Sequence, residues 1–348
     1  MCTRNTYPLR IPRTPALSRY TVGMLRNIRP LILLLALVAA PSAHAQFTSV
    51  APLNLTITPD YPRPYQTVTI TTGSTVIDLS ASTVKVSVNG KVVEQGTGVQ
   101  EVPIVVGGPG ETTTVSVTAT TGGKSYSKTL SIVPGDVSLI VEPLSTAHPF
   151  YEGGRLTAPE GRARLVALAD LRSSPGTRID PATLIYTWKF GDKILQEQSG
   201  IGKSVLTVTA PVRYRDAQIT LTVTSPSNAV VAQAATIVSA GDQMLRVYRT
   251  DPLLGTLFEH ALQGTYALPG TEESFTVVPY FFASAPILAW TVNGEASGGS
   301  KDITVRSTGS GAGSATLGIS AKNVASHQNA SGVLTVLFGS NRQSIFGF

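Results

Sequence analysis

The sequence predicts an all-β protein, three tandem antiparallel β-sandwiches behind a secretory leader. Three observations carry this: an N-terminal apolar run closed by small residues, strict two-residue alternation between turn signals, and a repeat of about 100 residues.

The leader comes first. Arg26 and Arg29 precede the apolar run from Leu31 to Ala40, which Pro41 and the triplet Ala43-His44-Ala45 follow. That order is the pattern of a cleavable signal peptide spanning residues 1–45, with Ala43 and Ala45 at the cleavage site and Gln46 opening the mature chain. The run is about ten residues, where a bilayer-spanning helix needs roughly 20, so no membrane-spanning segment is expected in the mature form. A leader that starts at Met24 has ordinary length by itself, and Met24 is an alternative start. Cys2 is the sole cysteine, so the mature chain has no thiol for lipid attachment, disulfides or thiolate metal sites.

Charge divides at the same place. The leader holds six of the 27 Lys and Arg residues and none of the 21 acidic ones, which leaves 21 against 21 in the mature chain. The net +6 therefore describes the leader, and nucleic acid is excluded as an expected partner because no phosphate-neutralising surplus remains.

Alternation marks half-buried strands at Leu53 to Ile57, Val68 to Ile70, Val84 to Val88, Val115 to Val117, Ile219 to Val223 and Leu317 to Ile319. Turn signals stand between strands: Asn89-Gly90, Gly122-Gly123, Ser225 to Asn228, Asn293-Gly294 and the run from Gly309 to Gly313. Helical periodicity is absent after residue 45. The segment Leu253 to Leu262 is at most a short helix or an irregular entry to the third domain.

The repeat appears when Val84-Lys-Val86-Ser-Val88-Asn-Gly is laid over Tyr186-Thr-Trp188-Lys-Phe190-Gly-Asp and Leu288-Ala-Trp290-Thr-Val292-Asn-Gly. A Pro-started strand lies upstream of each, at Pro64, Pro159 and Pro269, and Gly135-Asp136 and Gly241-Asp242 mark matching junctions. The period is that of an immunoglobulin-type sandwich. The expected divisions are 46–134, 135–240 and 241–339, joined by very short linkers, with an aromatic tail at 340–348.

Trp188-Lys-Phe190-Gly191-Asp192-Lys193 resembles the Trp-Asp-Phe-Gly-Asp-Gly signature of PKD-like (polycystic kidney disease repeat) domains, departing from it at Lys189 and Lys193. The whole pattern resembles tandem bacterial immunoglobulin-like domains. This resemblance implies a secreted or cell-surface protein, in which such domains serve as spacers, adhesive modules or accessory domains of glycan-acting enzymes.

Candidate sites are few. Trp188, Phe190, Trp290 and Val86 are expected in the cores, with exposed indoles as sugar-stacking platforms the weaker reading. His148, His260 and His327 lack the spacing of a zinc site or hydrolytic triad, so no catalytic, cofactor or metal residue is assigned and no enzyme is expected. Gly309-Ser-Gly-Ala-Gly313 reads as a turn rather than a phosphate loop. Asp136 and Asp242 are the places to look for a junction calcium. Asn54-Leu-Thr56 and Asn329-Ala-Ser331 match the glycosylation pattern, which is frequent by chance in a chain so rich in Ser and Thr. Tyr280-Phe281-Phe282 and the terminal Phe346 and Phe348 form aromatic clusters. Alternation buries one set and leaves Phe281 or its neighbours available, so either the tail folds back over them or a partner does. Packing within the molecule or disorder of the tail is the favoured expectation, with Phe281, Phe346 and Phe348 as the candidate interaction surface. The expected function is surface display, adhesion or extracellular assembly through a protein partner, the alternative being a glycan-binding or accessory module.

Overall fold

The computed structural model describes residues 51–309 and 311–339, so the expected cleavage positions Ala43, Ala45 and Gln46 and the candidate surface residues Phe346 and Phe348 lie outside the described residues. Three pairs of sheets follow one another along the chain. Each pair closes on its own apolar core.

In the first sandwich, Asn54–Thr58, Thr67–Gly73 and Glu101–Val105 form one sheet. Lys91–Thr97, Thr83–Val88, Thr113–Thr121 and Lys124–Ile132 form the other. Alternation decides which side chains meet between them: Val68, Ile70, Val84, Val86, Val102 and Ile104 point inward, and their sequence neighbours point to solvent. The second sandwich places Val205–Thr209, Arg162–Asp170 and Asp136–Pro143 against a sheet built on Ile185–Phe190, Asp216–Thr224 and Val231–Ser239. Its core gathers Leu165, Tyr186, Trp188 and Leu221. In the third, Met244–Asp251, Glu272–Tyr280 and Asp302–Arg306 face Gln328–Phe338, Gly313–Asn323 and Ile287–Val292 around Phe275, Phe282, Trp290 and Leu317.

Among the described residues an isolated parallel bridge joins Pro134 to Val231, and the strands pair antiparallel except where Gly264–Ala267 runs parallel to Leu334–Leu337. The chain makes that switch at Gly264, whose φ of +68° turns it off the first sheet, where Leu262 bridges Val247, and onto the second. The segment from Leu253 to Leu262 is not helical. Asp251 Oδ1 accepts from the N–H groups of Leu253 and Leu254 at 2.8 and 2.9 Å, tightening a turn that leads into the short strand Gly255–Thr256.

The repeated landmarks have physical causes. Every Pro-started strand begins three residues after its proline, at Thr67, Arg162 and Glu272. In the first two copies the proline opens a tight turn. Gln66 N–H donates to Arg63 O and Gly161 N–H to Ala158 O, with Tyr65 and Glu160 at positive φ as the third residue of a type II turn. Asn89-Gly90 and Asn293-Gly294 have positive φ at both residues, the two-residue hairpin whose twist matches the flanking strands. The asparagine also extends the ladder sideways. Asn89 Oδ1 accepts from Thr114 N–H at 2.8 Å and Asn293 Oδ1 from Thr316 N–H at 2.9 Å.

That double role yields a test. Asn293→Ala removes the acceptor and forces a Cβ-bearing residue without a polar rescue into left-handed backbone, for an expected loss of about 1–2 kcal/mol. Asn293→Gly, which tolerates the backbone, should lose less. Urea unfolding midpoints of the two variants check the order.

Candidate functional site

The four expected core residues separate into two groups. Val86, Trp188 and Trp290 are buried, and the indole N–H groups donate to backbone carbonyls, Trp188 Nε1 to Lys203 O at 2.9 Å and Trp290 Nε1 to Ser300 O at 2.8 Å. A buried indole with its one donor engaged offers no stacking face to a sugar. Phe190 corrects the expectation, being 36% exposed. It is the last residue of its strand, immediately before the Gly191-Asp192 turn, so its ring sits at the rim where the sheet ends.

Phe281 packs within the molecule and so is not available as an interaction surface. It is 1% exposed, and Tyr280 and Phe282 beside it are buried as well. Three adjacent rings escape alternation because the strand ends at Tyr280 and Phe281 takes φ +63°. Phe282 then enters the core of the third sandwich, while Tyr280 and Phe281 turn into a separate cluster with Tyr248.

A loop of the second sandwich covers that cluster. Thr146, in the connection between Asp136–Pro143 and Arg162–Asp170, accepts from Phe281 N–H at 2.7 Å and donates its own N–H to Phe282 O at 2.9 Å. Its hydroxyl adds a bond to Pro279 O at 3.2 Å and accepts from Phe282 N–H at 3.0 Å. Further contacts close the join: Gln328 Nε2 donates to Pro159 O at 2.5 Å and Gly241 N–H to Thr157 O at 2.8 Å. Gly241 has to be glycine here, since a Cβ would come within 2.7 Å of Leu156 Cβ.

The loop carries its own aromatic residues onto the third sandwich. His148 stacks on Phe258 at 4.3 Å with 15° between the planes and meets Tyr151, Tyr248 and Tyr280 edge-on. Tyr248 and Tyr280 share a hydrogen bond of 2.6 Å between their hydroxyls. Burial, reinforced by that bond, raises the Tyr280 pKa well above the usual tyrosine range. The His148 imidazole is desolvated, which lowers its pKa, and its Nδ1 accepts from Phe150 N–H at 3.0 Å. The neutral ring is thus held with its proton on Nε2. Beside the stack opens a cleft of about 640 Å³ lined also by Phe150, Glu152, Thr256 and Glu259.

The remaining histidines stand elsewhere: His260 is exposed, and His327 Nδ1 lies 3.4 Å from Glu160. Each junction aspartate faces an arginine of the preceding sandwich, Arg63 to Asp136 at 3.5 Å and Arg213 to Asp242 at 3.2 Å. Among the described residues no group of three or more His, Cys, Asp or Glu is arranged to hold a metal ion. The cleft was not foreseen from the sequence, where His148 stood alone. The signal available was the spacing of His148, Phe150 and Tyr151 in a loop between two strands.

No family model matches the chain, and no curated protein matches its sequence. Among solved structures, the three N-terminal domains of the highly immunogenic outer capsid protein of bacteriophage RB49 are 13% identical, cover 82% of this chain and 98% of that one, and superpose with a TM-score of 0.25. Sidekick-1 immunoglobulin domains 1–5 are 10% identical over 80% of this chain and 56% of that one, with a TM-score of 0.29. The central fibronectin-III array of RIM-binding protein is 10% identical over 82% and 95%, with a TM-score of 0.26. The fold rests on the chain's own sheets, which form tandem antiparallel β-sandwiches.

Two outcomes follow from the placement of these rings. Both tryptophans should emit at short wavelength and resist acrylamide quenching, and Trp188→Phe, which strands the Lys203 carbonyl, should cost about 2 kcal/mol in chemical denaturation. For His148, a folded pKa below the unfolded value of about 6.5 means that its contribution is complete above that pH and is lost as pH falls through the folded value. The groups facing it are Tyr151, Tyr248, Tyr280 and the rim carboxylates Glu152 and Glu259. Melting temperatures of His148→Gln should therefore fall less steeply on acidification than those of the parent.

Proposed function

We propose that the chain is an exported, non-enzymatic module that displays binding surfaces at the cell surface or in an extracellular assembly. The observation that supports this best is the join between the second and third sandwiches. Four hydrogen bonds at Thr146, two from its backbone and two from its hydroxyl, tie a loop of one domain to the strand end of the next. Contact surfaces on two domains are useful together only when their spacing is held, and such a join holds it without a disulfide. The balanced charge of residues 46–348 agrees with a protein or glycan partner rather than nucleic acid. Among the described residues no helix is long and apolar enough to cross a membrane.

Fractionation of cells expressing the full chain tests the reading. The expected product begins at Gln46 and is found in the medium, or on intact cells where added protease removes it. Cytoplasmic retention with an uncut N-terminus overturns export. An oligosaccharide array distinguishes the glycan-binding alternative, for which the buried indoles cannot serve as platforms. Specific retention of one glycan class would replace the protein-binding reading.

A further inference from the structure

We propose that the aromatic cleft between the loop around Phe150 and the third sandwich receives an arginine side chain from a partner protein. This deepens the reading of the chain as a binding module and rests on it.

The lining states the chemistry of the occupant. Phe150 is 73% exposed, and its ring lies 6.0 Å from that of Phe258 with 52° between the planes. Phe258 is fixed from behind by the stacked His148 and by Tyr248 at 5.3 Å, so the aromatic wall is held before anything binds. The charged residues of the lining are Glu152 and Glu259, both exposed at the rim. His148 adds no positive charge, because its Nδ1 already accepts from Phe150 N–H. Lysine and arginine are absent from the lining.

Exposed ring faces with two uncompensated carboxylates complement an organic cation. A guanidinium fits better than an ammonium. Its plane stacks on the open face of Phe150, and its edge presents several donors to carboxylate oxygens at once. That complementarity, with two carboxylates and no lysine or arginine in the lining, commits the site to an arginine brought by a partner protein.

Calorimetric titration of the purified mature chain with an acetylated, amidated tri-arginine peptide tests this, with the citrulline counterpart and neutral oligosaccharides as comparison probes. The tri-arginine peptide should bind, weaken as ionic strength rises, and lose about tenfold in affinity to the Glu152→Gln/Glu259→Gln variant and to Phe150→Ala. The altered side chains are exposed, so the variants should melt with the parent, and each single glutamine variant provides a second measurement if the double one does not. Equal binding of the citrulline peptide overturns the proposal. So does unchanged affinity in the variants, no binding of tri-arginine, or an oligosaccharide whose binding Phe150→Ala abolishes. Protease-accessible export of the chain can hold under any of those results, which keeps failure of the site distinct from failure of the module reading.

Discussion

The pairing of Thr146 with Phe281 and Phe282 sets the geometry on which the second and third sandwiches depend. An N–H and a carbonyl at the end of a sheet need partners, and here they come from a residue more than 130 positions earlier. The pairing also explains how three consecutive aromatic rings are all buried. The left-handed turn at Phe281 breaks the alternation of the strand, and the loop of the second sandwich provides the apolar cover that makes the turn favourable. Remove the loop and Tyr280 and Phe281 face water. The loop in turn has no core of its own, so His148 and Tyr151 are ordered by the rings they cover.

No disulfide reinforces this arrangement, since Cys2 is the sole cysteine of the chain. Packing carries the stability, and the copies reach it differently. The second and third cores are built on an indole whose donor is satisfied by a loop carbonyl, while the first fills the equivalent position with Val86 and is lined by Val, Ile and Leu. The two junctions differ as well. Between the first and second sandwiches the contacts include an exposed ion pair from Arg63 to Asp136 and the close approach of Gly110 to Gly176 and the Ser173 carbonyl. An exposed pair contributes at most about 1 kcal/mol, so charge alone does not hold this junction.

Much of the fold was legible because its signals are local. Alternation in Val84 to Val88 or Ile219 to Val223 needs only neighbouring residues to be read, and an Asn-Gly pair encodes its hairpin by backbone preference alone. Phe190 and Phe281 escaped because both depend on where a strand stops, which the period does not state. The parallel pairing of Gly264–Ala267 escaped for a related reason, since it follows from a sheet switch at a single glycine. The cleft was less legible still. His148, Phe150, Tyr248 and Phe258 belong to two domains, and the join anchored by the Thr146 pairing brings them together.

The character of the remaining surface gives the cleft its weight. On the outer face of the first sandwich, Thr118 and Thr120 bond across the strands to Ser127 and Ser125, each at 2.9 Å. Hydroxyls paired with one another in this way present a face with little charge and little apolar area. Such a face excludes few partners and selects none. Selectivity needs groups whose wrong pairing is costly, and charges that must shed water beside aromatic rings are of that kind. Glu152, Glu259 and the open ring of Phe150 meet that requirement, and they stand at the junction whose geometry the backbone itself holds. A recognition site placed there inherits its rigidity from the fold, so the ordering cost of binding falls on the partner.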